Sequence, residues 1–200
     1  SRGQALTAAQ LTDAIFEHAL DEKPWRRDQL ATWIDLPAGE REFLIDADGT
    51  SLALEHLLRN AWSFAVQLGH TAGLAVYLDH AATRASIERR YDVVLASLID
   101  PSVSPLPDVV RRATADLLVI EVFDDGIGIA EDEHDFVFEP FTQARNSPTR
   151  GVSGAGMGLP VCRKRIEGMG GRVELASRLG EGTLVALTIP VSPTGDRTTL

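Results

Sequence analysis

The segment "GVSGAGMGLP" places glycines at 151, 154, 156 and 158, directly before an apolar run. Glycine at this density brings backbone close to a ligand, often a phosphate. A helix starting just after it adds free N–H groups and the positive end of its dipole. The dinucleotide fingerprint G-x-G-x-x-G fails, because its third glycine would fall at Leu159, and no Gly-Lys-Ser/Thr follows as a P-loop requires. The loop alone therefore names no ligand. Asp124 closes the apolar run "DLLVIEVFDDG", where a buried strand would end on an acceptor; an ordinary Asp-Gly turn explains the same letters. Asn60, in "HLLRNA", offers a neutral oxygen donor on a helix, and alone it reads equally as a surface residue.

These side chains depend on the elements around them. Residues 7–22 read as an amphipathic helix. Thr7 and Gln10 have capping-box spacing, and Leu11, Ile15, Phe16, Ala19 and Leu20 share one face, with Pro24 beyond the end. "ATWIDLP" and "REFLID" are short strands around Pro37-Ala38-Gly39. A second helix spans roughly 51–68, with Leu54, Leu57, Leu58, Ala61, Ala65 and Leu68 at helical spacing. "GLAVYLDH" and "YDVVLASLID" read as strands forming a hairpin, followed by a loop at Pro101, Pro105 and Pro107. After the Asp124 strand come the acidic "AEDEHD", the segment "FVFEPFTQARNSPTR" and the glycine loop. A helix over 159–169 then carries Leu159, Cys162, Ile166 and Met169 on one face. "GRVELAS" and "GTLVALTIP" close the chain as a hairpin. This order predicts an α+β fold, a two-layer sandwich whose mixed sheet is covered on one face by helices. The expected organisation is an N-terminal helix or linker over 1–22, a main domain over 23–190 and a disordered tail over 191–200.

The chain has 200 residues, 44% of them hydrophobic, and a formal net charge of −10. Length and composition fit one globular domain with a full core, and the charge argues against a nucleic-acid surface. No stretch reaches the length of a membrane span, so direct membrane contact is not expected. The single cysteine, Cys162, excludes an internal disulfide and fits a reducing, cytoplasmic setting; its apolar helix face marks it as core. The opening Ser1-Arg2-Gly3 lacks methionine and reads as part of a longer parent, which can be membrane-anchored.

Four segments stand in a fixed order: "HLLRNA" (56–61), "DDGIG" (124–128), "FEPF" (138–141) and "GAGMGL" (154–159). In this the sequence resembles the ATP-binding catalytic domain of bacterial sensor histidine kinases, a branch of the GHKL superfamily shared with topoisomerase, mismatch-repair and chaperone ATPases. The segments look like that family's N, G1, F and G2 boxes, and the resemblance runs from about residue 5 to 190. It implies the family's ATP-binding sandwich, with ATP and Mg²⁺ as cofactors. It gives the nucleotide His56, Asn60, Phe64, Asp124, Gly126, Gly128, Gly154, Gly156, Gly158 and Leu159. Asn60 takes the catalytic place as Mg²⁺ ligand, consistent with a hard cation that takes few protein oxygens. Asp124 reads the adenine amino group, with Gly126 and Gly128 turning the backbone beside the base. A lid over 130–153 is packed down by Phe138 and Phe141. The implied partners are a histidine-bearing dimerisation domain of the same parent and a downstream response regulator.

Some positions depart from the family pattern. Ser63 stands where a lysine near the phosphates is common, and Arg145, Arg150 or Arg163 are candidates for the missing charge. The stretch between Asn60 and Asp124 is longer than the family needs, which suggests an inert elaboration or a docking element. A pseudokinase that acts by docking is the alternative. A topoisomerase-type ATPase would place a glutamate where His56 stands. "EDEHDF" reads as a solvated acidic turn instead of a metal cluster, and His18 as a helix histidine without the phosphoacceptor pattern.

Overall fold

A computed structural model describes residues 3–20, 30–36, 42–79, 84–106, 117–143 and 156–193. Strand β1 (Gln4–Thr7) leads into helix α1 (Ala8–Leu20) through the expected capping box. The Thr7 N–H donates to Gln10 Oε1 at 3.0 Å and the Gln10 N–H to Thr7 Oγ1 at 3.3 Å, satisfying two orphan donors of the helix start. Strands β2 (Leu30–Asp35) and β3 (Glu42–Ile45) follow, then α2 (Ala47–Phe64). α2 starts four residues before the expected boundary because Asp46 caps it, its carboxylate accepting the Gly49 N–H at 3.0 Å. The remaining elements are β4 (Ala72–Asp79), α3 (Arg84–Ile99), β5 (Leu117–Asp124), α4 (Gly158–Gly168), β6 (Arg172–Arg178), β7 (Gly182–Pro190) and β8 (Ser192–Pro193).

Five strands make the main sheet in the order β2-β4-β5-β7-β6, with β2 and β4 parallel and the other pairs antiparallel. Along β5, Leu118, Ile120 and Val122 point to the core shared with α1, α2 and α4. Fully burying one such side chain contributes about 1.5–3 kcal/mol. The α+β sandwich on a mixed sheet is thus the observed architecture.

"YDVVLASLID" is the main correction. It is the C-terminal part of α3 and not a strand, so no hairpin joins it to β4, which pairs with β2 and β5 instead. Ile87, Tyr91 and Val94 of α3 lie on the second face of the sheet, against Ala75, Phe123, Leu184 and Ala186. The elongated stretch after Asn60 therefore adds a helix to the face left open in the sequence reading.

A second, small sheet has the order β1-β3-β8. Through it and α1, whose Leu11, Ile15 and Ala19 are buried in the main core, the segment expected to be an N-terminal helix or linker packs with the rest of the chain. Val191 is buried and Ser192–Pro193 pair with β3, so ordered structure runs past 190; residues 194–200 lie outside the described set. Among the described residues, no helix is long and apolar enough to cross a membrane.

Candidate functional site

A cavity of about 320 Å³ opens between α2, the ends of β5 and β7, and the start of α4. Helical periodicity puts His56, Asn60 and Phe64 on one line of α2, at i, i+4 and i+8, and all three line this cavity. Asp124 enters it because strand alternation continues from Leu118, Ile120 and Val122. Gly128, Gly156, Gly158 and Leu159 also line it.

The Phe64 end is tied to the Asp124 turn. The Ile127 N–H donates to the Phe64 carbonyl at 3.3 Å, and the Gly126 N–H to Asp124 Oδ1 at 3.0 Å. Gly126 does not line the cavity; its backbone orients the carboxylate. Gly128 has φ +62°, and a Cβ there would lie 2.0 Å from the Arg178 carbonyl oxygen, so its smallness serves the approach of β6. Asp124 is buried, and burial pushes its pKa up to about 7 against the opposing hydrogen bonds from the Gly126 and Thr183 backbones. Ile127, Ile129 and Val137 supply apolar wall around it. A buried acceptor beside apolar wall suits a flat, amine-bearing ring.

The other end faces α4. Asn60 Oδ1 lies 3.6 Å and the His56 Cβ 3.9 Å from where a Gly158 side chain would begin. No side chain caps α4, and Pro160 has no N–H, so the Gly158 and Leu159 N–H groups head this eleven-residue helix. Burial, and after it the charge of Arg59, holds the His56 pKa below its usual value, leaving a neutral imidazole at pH 7. Among the described residues no three His, Cys, Asp or Glu side chains gather to hold a metal. An amide oxygen with a neutral imidazole nearby suits Mg²⁺ that draws its other ligands from phosphate and water.

Other sequence candidates fall elsewhere. Gly154, Arg145 and Arg150 lie outside the described residues, as does the His18 side chain. Ser63 is half-buried off the cavity lining, and so is Arg163, whose guanidinium lies 3.4 Å from the centre of the Phe138 ring. Phe138 is buried as expected, but Phe141 is 77% exposed with φ +64° and packs nothing down; its N–H reaches the Gly156 carbonyl at 3.1 Å. Glu131–Glu133 form a short 3-10 helix, but Glu133 is buried and not solvated as the acidic run suggested, and His134 Nε2 meets the Ile129 carbonyl at 3.2 Å. Cys162 is core, its thiol pushed by burial up to about 12. Arg59, Thr142, Gln143 and Met157 line the cavity without having been singled out. Arg59 carried a visible signal, a cation next to Asn60, but its i,i+4 spacing from Glu55 reads as a surface pair.

Comparison with known proteins agrees with this geometry. The model of the family described as histidine kinase-, DNA gyrase B-, and HSP90-like ATPase matches residues 45–193. Over 112 residues the chain is 34% identical to the autoinducer 2 sensor kinase/phosphatase LuxQ of Vibrio parahaemolyticus, covering 51% of this chain and 13% of that protein. Over 73 residues it is 41% identical to the sensor histidine kinase AruS of Pseudomonas aeruginosa, 36% of this chain and 7% of that one. The matched part is thus a small fraction of either relative's length. In fold, the chain is similar to the mycobacterial sensor histidine kinase MprB, with a TM-score of 0.58 at 16% identity over 96% of this chain and 99% of the other.

Proposed function

This chain belongs to the histidine kinase-, DNA gyrase B- and HSP90-like ATPase family, as the ATP-binding catalytic domain of a sensor histidine kinase, and from that premise we propose how its cleft works. The cleft holds Mg²⁺·ATP and presents the γ-phosphoryl to a histidine on a separate dimerisation domain of the same parent. One observation carries this reading. His56, Asn60 and Phe64 mark a line eight residue steps long on α2, about 12 Å, with the Asp124 turn at one end and the head of α4 at the other. That is the layout a base joined to a phosphate chain needs.

In this reading Asp124 accepts a hydrogen bond from the adenine amino group, while Phe64, Ile127 and Ile129 shield the base from water. The Gly158 and Leu159 N–H groups donate to phosphate oxygens. Asn60 Oδ1 holds Mg²⁺, with neutral His56 beside it. When bound, the metal supplies charge neutralisation on the phosphates. Catalysis is then positioning and electrostatics, and the acceptor histidine with its base belongs to the partner domain. The phosphoryl group passes on to a response regulator, and the domain works in the cytoplasm.

The test is calorimetric titration with a non-hydrolysable ATP analogue and Mg²⁺. The wild type is expected to bind, Asn60→Ala to lose binding, and Asp124→Asn to bind measurably but more weakly. A folded wild type that takes up no nucleotide at saturating concentrations overturns the kinase reading and leaves the docking role.

A further inference from the structure

We infer that Arg59 is the side chain that pairs with the nucleotide's phosphates, held to Glu55 through one nitrogen while its remaining donors meet a phosphate oxygen. The inference rests on the proposed ATP reading and assigns a residue that the motif pattern leaves unassigned.

The chain carries a formal net charge of −10, and the cleft itself holds Asp124, so the surrounding field opposes a polyanion. Mg²⁺ covers two charges of a triphosphate and leaves the rest. Among the described residues that line the cleft, Arg59 is the one arginine or lysine. The other cations near α4 are directed elsewhere. Arg163 stacks on Phe138, and Lys164 and Arg165 line a separate groove of about 630 Å³ beside Leu44 and Met169.

Arg59 is also held in the right place. Its Nη2 donates to Glu55 Oε1 at 2.8 Å, and Glu55 is a mostly buried anchor with its side chain 10% exposed against 53% for Arg59. A guanidinium carries five N–H donors in a planar fork, so this contact leaves donors for a phosphate. Arg59 adjoins Asn60 in sequence and shares the cavity wall with it, which puts the charge beside the metal-and-phosphate end and away from Asp124. The pair joins a mostly buried carboxylate to a guanidinium that is about half exposed, so Glu55 fixes one edge of Arg59 and leaves the other open to the cleft.

The experiment compares wild type, Arg59→Gln and Arg59→Lys by calorimetric titration with MgATP, MgADP and adenosine. Arg59→Gln is expected to weaken both phosphorylated ligands about 10-fold or more, the worth of one charge-assisted hydrogen bond. It leaves adenosine affinity unchanged and flattens the salt dependence of MgATP binding, while Arg59→Lys restores most of the loss. Unchanged MgATP affinity in Arg59→Gln overturns the assignment. So does an equal loss for adenosine and MgATP, which marks a structural role. Failure of the wild type to bind MgATP while folded is a different result, and it overturns the reading of the cleft together with this assignment.

Discussion

Glu121 and Asp124 are two buried carboxylates on one strand, three residues apart, and they face opposite sides of the sheet. Glu121 points to the α3 side and is closed off by protein. Arg90 of α3 grips both of its oxygens, and Tyr77 Oη donates to Oε1 at 2.9 Å. Arg90 also donates to the Pro105 carbonyl. Burial works against the Arg90 charge, but its bonds to Glu121 more than offset this and raise its pKa; Tyr77 is raised by burial and by the same carboxylate. Asp124 points to the cleft with backbone N–H partners among the described residues, and burial lifts its pKa to about 7. The same strand thus builds a finished ion pair on one face and an acceptor poised for a ligand on the other. A buried polar group satisfied within the protein fixes structure, whereas one left short of a partner stores binding capacity.

The sharpest way to break the contrast is Arg90→Met, which leaves Glu121 buried without its cation. Urea unfolding should show a loss of about 3–5 kcal/mol, while molecules that remain folded still bind nucleotide. A loss equal to that of an exposed arginine would mean that the pair is not a structural lock.

An intermediate effect separates the two carboxylates by pH. The folded Asp124 pKa, about 7, stands above its ordinary 3.8, so between these values the folded state binds more protons than the unfolded one. Its contribution to stability is therefore full below pH 3.8 and is lost as pH rises through about 7. Adenine affinity runs the other way, rising as the carboxylate ionises. Calorimetry from pH 6 to 8 should show tighter binding at high pH in the wild type and a flat profile in Asp124→Asn. A rising profile that survives Asp124→Asn would assign the titration to another group.

The smallest expected effect links the faces. Tyr91 Oη of α3 donates to the Gly182 carbonyl at 3.0 Å, an oxygen that also accepts from Ser177 Oγ at 2.7 Å. Gly182 lies so close to β5 that a Cβ would sit 2.0 Å from the Asp124 carbonyl oxygen, and the next residue, Thr183, pairs with Asp124. Tyr91→Phe should cost about 1 kcal/mol in stability and a few-fold in nucleotide affinity. Loss of stability with unchanged affinity would confine Tyr91 to the structural side.

The cleft was largely legible from sequence because its residues occur in short runs whose local geometry is self-contained. Asn60 and His56 share a helix face by spacing, and Asp124 ends a strand by composition. α3 was misread because the segment was divided at Tyr91. Its inward positions, Ile87, Tyr91 and Val94, show helical spacing only when the charged "RASIERR" before it is included. The Arg90–Glu121 pair spans 31 residues, a distance at which local pattern says nothing about contact. A glutamate inside "LLVIEVFD" was nevertheless a warning that a buried charge needed a partner. Arg59 escaped because its contact with Glu55 is local, whereas its place on the cavity wall is tertiary.

The β1-β3-β8 sheet sets how the domain is threaded. β1 and β8 flank the same four-residue strand, with Gln4 opposite Ile45 and Ser192 opposite Leu44. β1 and β8 are therefore about two strand spacings apart, roughly 10 Å. The first and last strands of the described fold are thereby joined through a sheet that contributes no residue to the lining of the cleft.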